Sequence, residues 1–283
     1  MKTVSLILLI AIVTVTGISA CSFKTLYNKL DYLIPEYVAG MVTLDDVLED
    51  KVERRSLALI NWHRNTQLKV YADWLQTVQQ QVGSNLTGQQ VKHHIDDINR
   101  FYRAFIIQLN QEMSEILPLL NELQQNEMFS HIAQKNEKYR EQYVELEDEE
   151  RIEAYNDGLL ESYESWLGAL SAEQETAITL AAQKMQSTAE LRLWRRLEWQ
   201  KGIQKILSSQ DSRAIKTQSL KKFMSGFENI DTPSTREKSE ANRQIIASLT
   251  VHIAHSLTQA QKAHFMSETN DYIRMFIELA ENR

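Results

Sequence analysis

Apolar residues recur at helical spacing along nearly the whole chain. Residues 22–41 place Phe23, Leu26, Tyr27, Leu30, Leu33 and Ile34 on one face, ahead of Pro35 and Gly40, which predicts a short aromatic-rich helix interrupted there. A new pattern starts at Val42, where Thr43 is placed to cap, Asp45 and Asp46 suit the positive end of a helix, and Val42 can staple to Val47. Val47, Val52, Leu59, Trp62, Leu68, Tyr71, Trp74, Leu75, Val78 and Val82 then keep one stripe up to Gly83, predicting an unbroken amphipathic helix of about forty residues. Thr87 and Gln90 form a capping box, with Leu86 stapled to Val91, and open a second long helix that Pro118 breaks near Leu117. A further helix is expected from Leu119 to Leu146, then one opened by Glu147-Asp148-Glu149-Glu150 and closed at Gly168. Ser171 and Gln174 make another box, starting a helix predicted to run through Trp194 and Trp199 to Leu207. Residues 212–227 read as helix, Thr232-Pro233 as an N-cap with proline in the first turn, and Thr258 with Gln261 as the box dividing the last two helices. The starts at 86, 170 and 257 lie about 85 residues apart, a spacing compatible with repeated helical hairpins.

The pattern predicts an all-α fold, an elongated bundle or array of long antiparallel amphipathic helices. Three prolines and eight glycines in 283 residues agree with it. The single cysteine excludes an internal disulfide, so stability comes from packing alone. A formal charge of −7 argues against nucleic acid as a partner.

The first twenty residues change the picture. Lys2 is a small positive region, Val4 to Val15 is an apolar run broken by Ser5 and Thr14, and Gly17, Ser19 and Ala20 are the small residues of a cleavage site. The run is shorter than the roughly 20 apolar residues of a spanning helix. Ile18-Ser19-Ala20-Cys21 resembles the lipobox of bacterial lipoproteins, in which the cysteine becomes the acylated first residue of the mature chain. Cys21 is then the lipidation site, and two or more acyl chains give stable anchoring where one does not. The same resemblance, carried to the lipoproteins of two-membrane bacteria, implies from Ser22 in place of aspartate after that cysteine a location on the periplasmic face of the outer membrane. The expected division is a cleaved signal over 1–20, an anchor and membrane-proximal helix over 21–41, and a helical periplasmic domain over 42–283.

Candidate chemistry is sparse. Trp62-His63-Arg64 is a candidate binding patch, with Trp62 expected to pack inward while His63 and Arg64 face solvent or a neighbouring helix. His93 and Asp97 stand one turn apart, but spacing identifies no third ligand, so no metal site is assigned. The acidic run 145–150 lacks the alternation of a calcium loop and reads as a helix N-terminus. Within 192–199, Leu193, Trp194 and Leu197 are expected in the core, with the arginines paired to carboxylates. No nucleophile elbow, metalloprotease helix or phosphate-binding glycine loop is found, and no cofactor is implied.

Leu86 to Gln90, Leu170 to Gln174 and Leu257 to Gln261 each resemble the Leu-Thr-x-x-Gln segments of small periplasmic stress chaperones, although any capped helix start selects the same residues. A wider resemblance rests on Tyr27 to Pro35, Leu44-Asp45, Trp62-His63-Arg64 with Leu68, Tyr71-Ala72 and Leu75, and Trp166-Leu167-Gly168 before the box at 170. These are similar to a family of uncharacterised proteobacterial lipoproteins, known as a domain of unknown function. Lys69 stands where members often carry proline. The resemblance implies a lipid-anchored helical periplasmic protein and no activity. The expectation is a non-enzymatic module that binds an envelope protein or unfolded clients. The alternative is an envelope enzyme acting on cell-wall material through carboxylates brought together by folding.

Overall fold

The computed structural model describes residues 20–82, 84–227 and 233–281. Among these the chain is all-α, without a strand, and forms a helical bundle. The helices are α1 (Ala20–Tyr27), α2 (Leu30–Ala39), α3 (Asp46–Thr66), α4 (Leu68–Val82), α5 (Gly88–Ile116), α6 (Glu122–Tyr139), α7 (Asp148–Leu167), α8 (Ala172–Lys184), α9 (Ala189–Leu207), α10 (Arg213–Phe227), α11 (Pro233–His255) and α12 (Gln259–Glu281). A 3₁₀ turn (Leu117–Leu119) follows α5, and a π turn (Arg140–Val144) follows α6.

The start signals work by supplying acceptors to the unpaired N–H groups of a first turn. Thr87, Ser171 and Thr258 each accept from the backbone of the glutamine three residues on, and each glutamine amide reaches back. Asn121 and Gln124 make the same reciprocal pair in front of α6. Leu86 and Val91 are buried together, as a staple requires. Gly168 ends α7 at φ +72°, a conformation that favours glycine. The Thr232 cap lies outside the described residues.

Several expectations are corrected. Asp45, not Thr43, caps α3 by accepting from Leu48 N–H at 3.0 Å, while Thr43 donates its N–H to Glu127 on α6. Val47 is 71% exposed and staples nothing; the inward stripe starts at Leu48, keeps the expected Val52 and Leu59, and takes in Ser56, Ile60 and His63. The forty-residue helix is interrupted at Gln67, whose φ of −108° departs from helical geometry and divides α3 from α4, beside Thr66, whose hydroxyl donates to the Trp62 carbonyl at 2.7 Å. Pro35 does not interrupt its helix but sits inside α2, where the packing of Leu30 and Ile34 on the core offsets the lost hydrogen bond. The helix expected from 119 begins only at Glu122 and widens into the π turn at Arg140. Finally, α8 and α9 are separate, because Asn242 of α11 brackets Gln186, accepting its N–H and donating to its carbonyl, both at 2.8 Å. That bracket, with Met185 extended, ends α8 at Lys184.

Four apolar clusters hold the bundle together. The first joins α1, α2, α3, α4, α5 and α12 through Phe23, Tyr27, Leu59, Leu68, Phe105 and Phe276. The second gathers the start of α3, the end of α5, and α6, α9 and α10 around Val52, Leu117, Ile203, Leu220 and Met224. The third joins α7, α8, α11 and α12 through Leu167, Ile178, Leu249, Ile253 and Phe265. A small fourth cluster of Leu86, Val91 and Ala247 ties α5 to α11. At 29 residues, α5 spans about 43 Å and touches α3, α10 and α11 along its length.

Candidate functional site

His63 lies in the inward stripe of α3, is 2% exposed and faces neighbouring helices α1 and α4, the second of the two orientations expected for it. The hydroxyl of Tyr27, from α1, lies 2.9 Å from His63 Nδ1, and that of Tyr71, from α4, lies 3.4 Å from Nε2. Phe105 meets the imidazole edge-on, with ring centroids 6.0 Å apart. A neutral imidazole has one donor and one acceptor nitrogen, so one tyrosine donates to the ring and the other accepts from it. Burial sets the protonation state. It pushes His63 down to about 3, Tyr27 up to about 12 and Tyr71 further up. All three are therefore neutral across the physiological range. Trp62 is half-buried against the first cluster, as expected, and Arg64 lies over the Tyr27 ring at 5.6 Å from its centroid. The tripeptide thus forms an internal polar joint between α1, α3 and α4, not an offered surface. The 3- and 4-residue spacing from Ser56, Leu59 and Ile60 carried the signal for His63.

A second joint lies on α5. Trp74 Nε1 donates to His94 Nδ1 at 3.1 Å, which leaves Nε2–H of the neutral ring to donate to Gln81 at 2.9 Å. Burial lowers the pKa of His94. His93, the residue flagged by spacing, points outward, and Asp97 Oδ1 is paired with Arg100 at 2.8 Å. Across α3, α5 and α10, Glu115 binds Lys221 at 2.6 Å and lies 3.6 Å from Arg55, and the Lys221 hydrogen bond holds its carboxyl below the usual range.

The capping boxes of α8 and α12 meet face to face. Gln174 and Gln261 are buried, and each donates its amide to the other's carbonyl, at 3.1 and 2.8 Å. The Gln261 amide also reaches the Ala169 carbonyl, and that of Gln174 reaches Ser256. Gln124 is equally buried and ties the α6 box to the Thr43 carbonyl. This box was missed because asparagine stands at 121 where the other three have serine or threonine.

On the surface, antiparallel α8 and α11 leave a groove of about 810 Å³. Its floor is Ala177, Ala181, Ile245 and Leu249, with Leu180 projecting into it half-exposed. Gln244 and Ser248 form a polar rim, and the ends carry Lys184 and the Glu173–His252 contact at 3.8 Å. Glu173 is the one carboxylate among the groove-lining residues. A smaller hollow of about 390 Å³ lies on α12 beside Asp271 and Arg274. Neither hollow is lined by the His63 or His94 joints.

The basic stretch of α9 also departs from expectation. Leu193 is buried, but Trp194 and Leu197 are each 41% exposed, and Arg196 stacks over Tyr139 at 4.0 Å from the ring centroid. The π turn places Tyr143 against Tyr139, centroids 4.9 Å apart. The acidic run opens α7 as expected, with Glu150 accepting from the Glu147 N–H at 3.1 Å. Ile18 and Ser19 lie outside the described residues, as does the side chain of Cys21, while Ala20 begins α1. No helix among the described residues is long and apolar enough to cross a membrane.

Comparison with known proteins adds one finding. Residues 41–236 match a Family of unknown function (DUF6279). No curated protein and no solved structure matches the chain.

Proposed function

The chain belongs to the DUF6279 family, and we propose that it is a lipid-anchored periplasmic lipoprotein of the outer membrane that acts as a non-enzymatic envelope-assembly module. The observation that carries the protein-binding reading is the α8–α11 groove, with an apolar floor, a polar rim and a projecting leucine. That anatomy matches an interface core and its rim. One defined groove favours a particular partner over the broad exposed apolar surface that a holder of unfolded clients needs. His63, Tyr27 and Tyr71, whose protonation burial shifts strongly, support the same reading because they serve an internal joint and do not line the groove.

The anchor rests on Ile18-Ser19-Ala20-Cys21, and α1 begins beside it. Phe23 and Tyr27 are already within the core cluster, so the lipid would be joined to the folded body with almost no linker. Both halves of the proposal are tested in living cells, the groove with a photocrosslinking residue at Leu180 and the anchor with a substitution at Cys21. Capture of one partner in fixed proportion supports an assembly role. A broad mixture of unrelated proteins points to a chaperone, and no capture at all removes the groove from the reading. Cys21→Ser is expected to abolish incorporation of labelled acyl chain and release the protein from the membrane; continued lipid incorporation would sink the anchor.

A further inference from the structure

We propose that the α8–α11 groove is a self-association surface, which takes α8 of a second copy of this chain in antiparallel register. This rests on the protein-binding reading of the groove and names its occupant. The argument begins with the outward seam of α8, which is Glu173, Ala177, Leu180 and Lys184. The intervals are four, three and four residues, so the seam is symmetric about its own midpoint. Laid antiparallel on an identical helix, it matches itself at all four positions: Leu180 opposes Ala177, and Lys184 opposes Glu173, each pairing occurring twice.

Shape and charge both fit that register. Leu180 is 50% exposed and is the large side chain of the seam, while Ala177 and the buried Ala181 leave the hollow that a leucine knob fills. Ile245 and Leu249 of α11 deepen the hollow, so each copy's Leu180 would enter a pocket built by two helices of the other. Lys184 makes no ion pair among the described residues, and Glu173 has a 74% exposed side chain whose one recorded contact is His252. Opposite charges therefore stand at the two ends of the seam, free to meet across a two-fold axis. Such an isologous contact repeats every interaction, so any substitution in it counts twice.

The full-length chain in mild detergent, followed by light scattering and sedimentation across a concentration series, tests the register. Wild type is expected to show twice the mass of the single processed chain. Leu180→Glu should weaken dimerisation at least about a hundredfold, since two buried leucines are lost together. Glu173→Lys and Lys184→Glu each set like charges opposite each other and should be monomeric. Mixed one to one they should pair, because every position then faces its opposite, and the double variant should self-associate again. Circular dichroism checks that each variant keeps its helices, and recovery on mixing shows that the single variants are folded. A monomeric wild type, a dimer that survives Leu180→Glu, or single variants that fail to pair on mixing would each overturn the proposal. A photocrosslink from Leu180 to a protein of another mass would end self-association while leaving the groove a protein-binding site.

Discussion

Replacing His63 by leucine separates a buried neutral histidine from an exposed one. In the folded chain His63 titrates at about 3, against about 6.5 when unfolded. The depressed value means that above pH 6.5 neither state binds the proton and His63 contributes no pH dependence. Below it the unfolded state binds a proton that the folded state refuses, so stability falls as pH drops toward 3. Integrated between about pH 7.5 and about pH 5, that loss is about 2 kcal/mol. Leucine keeps the volume but withdraws the partner of the Tyr27 and Tyr71 hydroxyls, costing about 1–3 kcal/mol at the higher pH. It also removes the titrating group. The penalty of His63→Leu should therefore shrink by about 2 kcal/mol between about pH 7.5 and about pH 5, leaving the variant within about 1 kcal/mol of wild type. Urea unfolding of both proteins at a series of pH values measures this, and contributions common to both, such as that of His94, cancel in the difference. A penalty that stays constant with pH would refute the burial of a neutral imidazole between the two tyrosines.

Other parts of the bundle give further tests. Gln174→Leu and Gln261→Leu should each destabilise by about 2–4 kcal/mol, because each leaves the other amide buried without its partner. The double variant should cost clearly less than their sum, and a double-mutant cycle by chemical denaturation reads the coupling. Gly202→Ala should lower the thermal midpoint, because a Cβ there would come within 2.0 Å of the Phe223 ring. That overpacking, about 1–3 kcal/mol, outweighs the gain of about 1 kcal/mol in helix propensity. A Gly202→Ala protein with an unchanged or raised midpoint would show that α9 and α10 are not packed that closely.

The sequence disclosed most where a local rule decides the outcome. Thr87, Ser171 and Thr258 with their glutamines start helices because the capping chemistry is complete within four residues, and Pro118 and Gly168 end them for equally local reasons. The breaks at Gln67 and Met185 carry neither proline nor glycine. The second arises from Asn242, fifty-six residues away, holding Gln186, and the first is a local departure of the Gln67 backbone that no turn-forming residue marks. On α3 the apolar pattern marks Val52 and Leu59 correctly, but the stripe starts at Leu48 instead of Val47 and runs on to His63, which as a polar residue does not announce itself as a core position. Its hydroxyl partners, on α1 and α4, are long-range or offset choices that periodicity does not contain. The groove was hidden for a related reason. Its α8 face looks like ordinary polar helix surface until α11 arrives beside it.

The clasp between the first and last described helices bears on how the protein is made. Lys24 of α1 bonds Glu278 of α12, 254 residues onward, and Phe23 and Tyr27 share a core with Tyr272, Phe276 and Leu279. During synthesis α1 appears first and the surface that covers it appears last. The aromatic face of α1 must therefore wait, unprotected, until nearly all of the chain has been delivered. Contacts of such high sequence separation close slowly, and the waiting apolar face is what a holding chaperone would engage. Loss of the last turns of α12 would accordingly be felt at the opposite end of the chain, as a failure to seat α1.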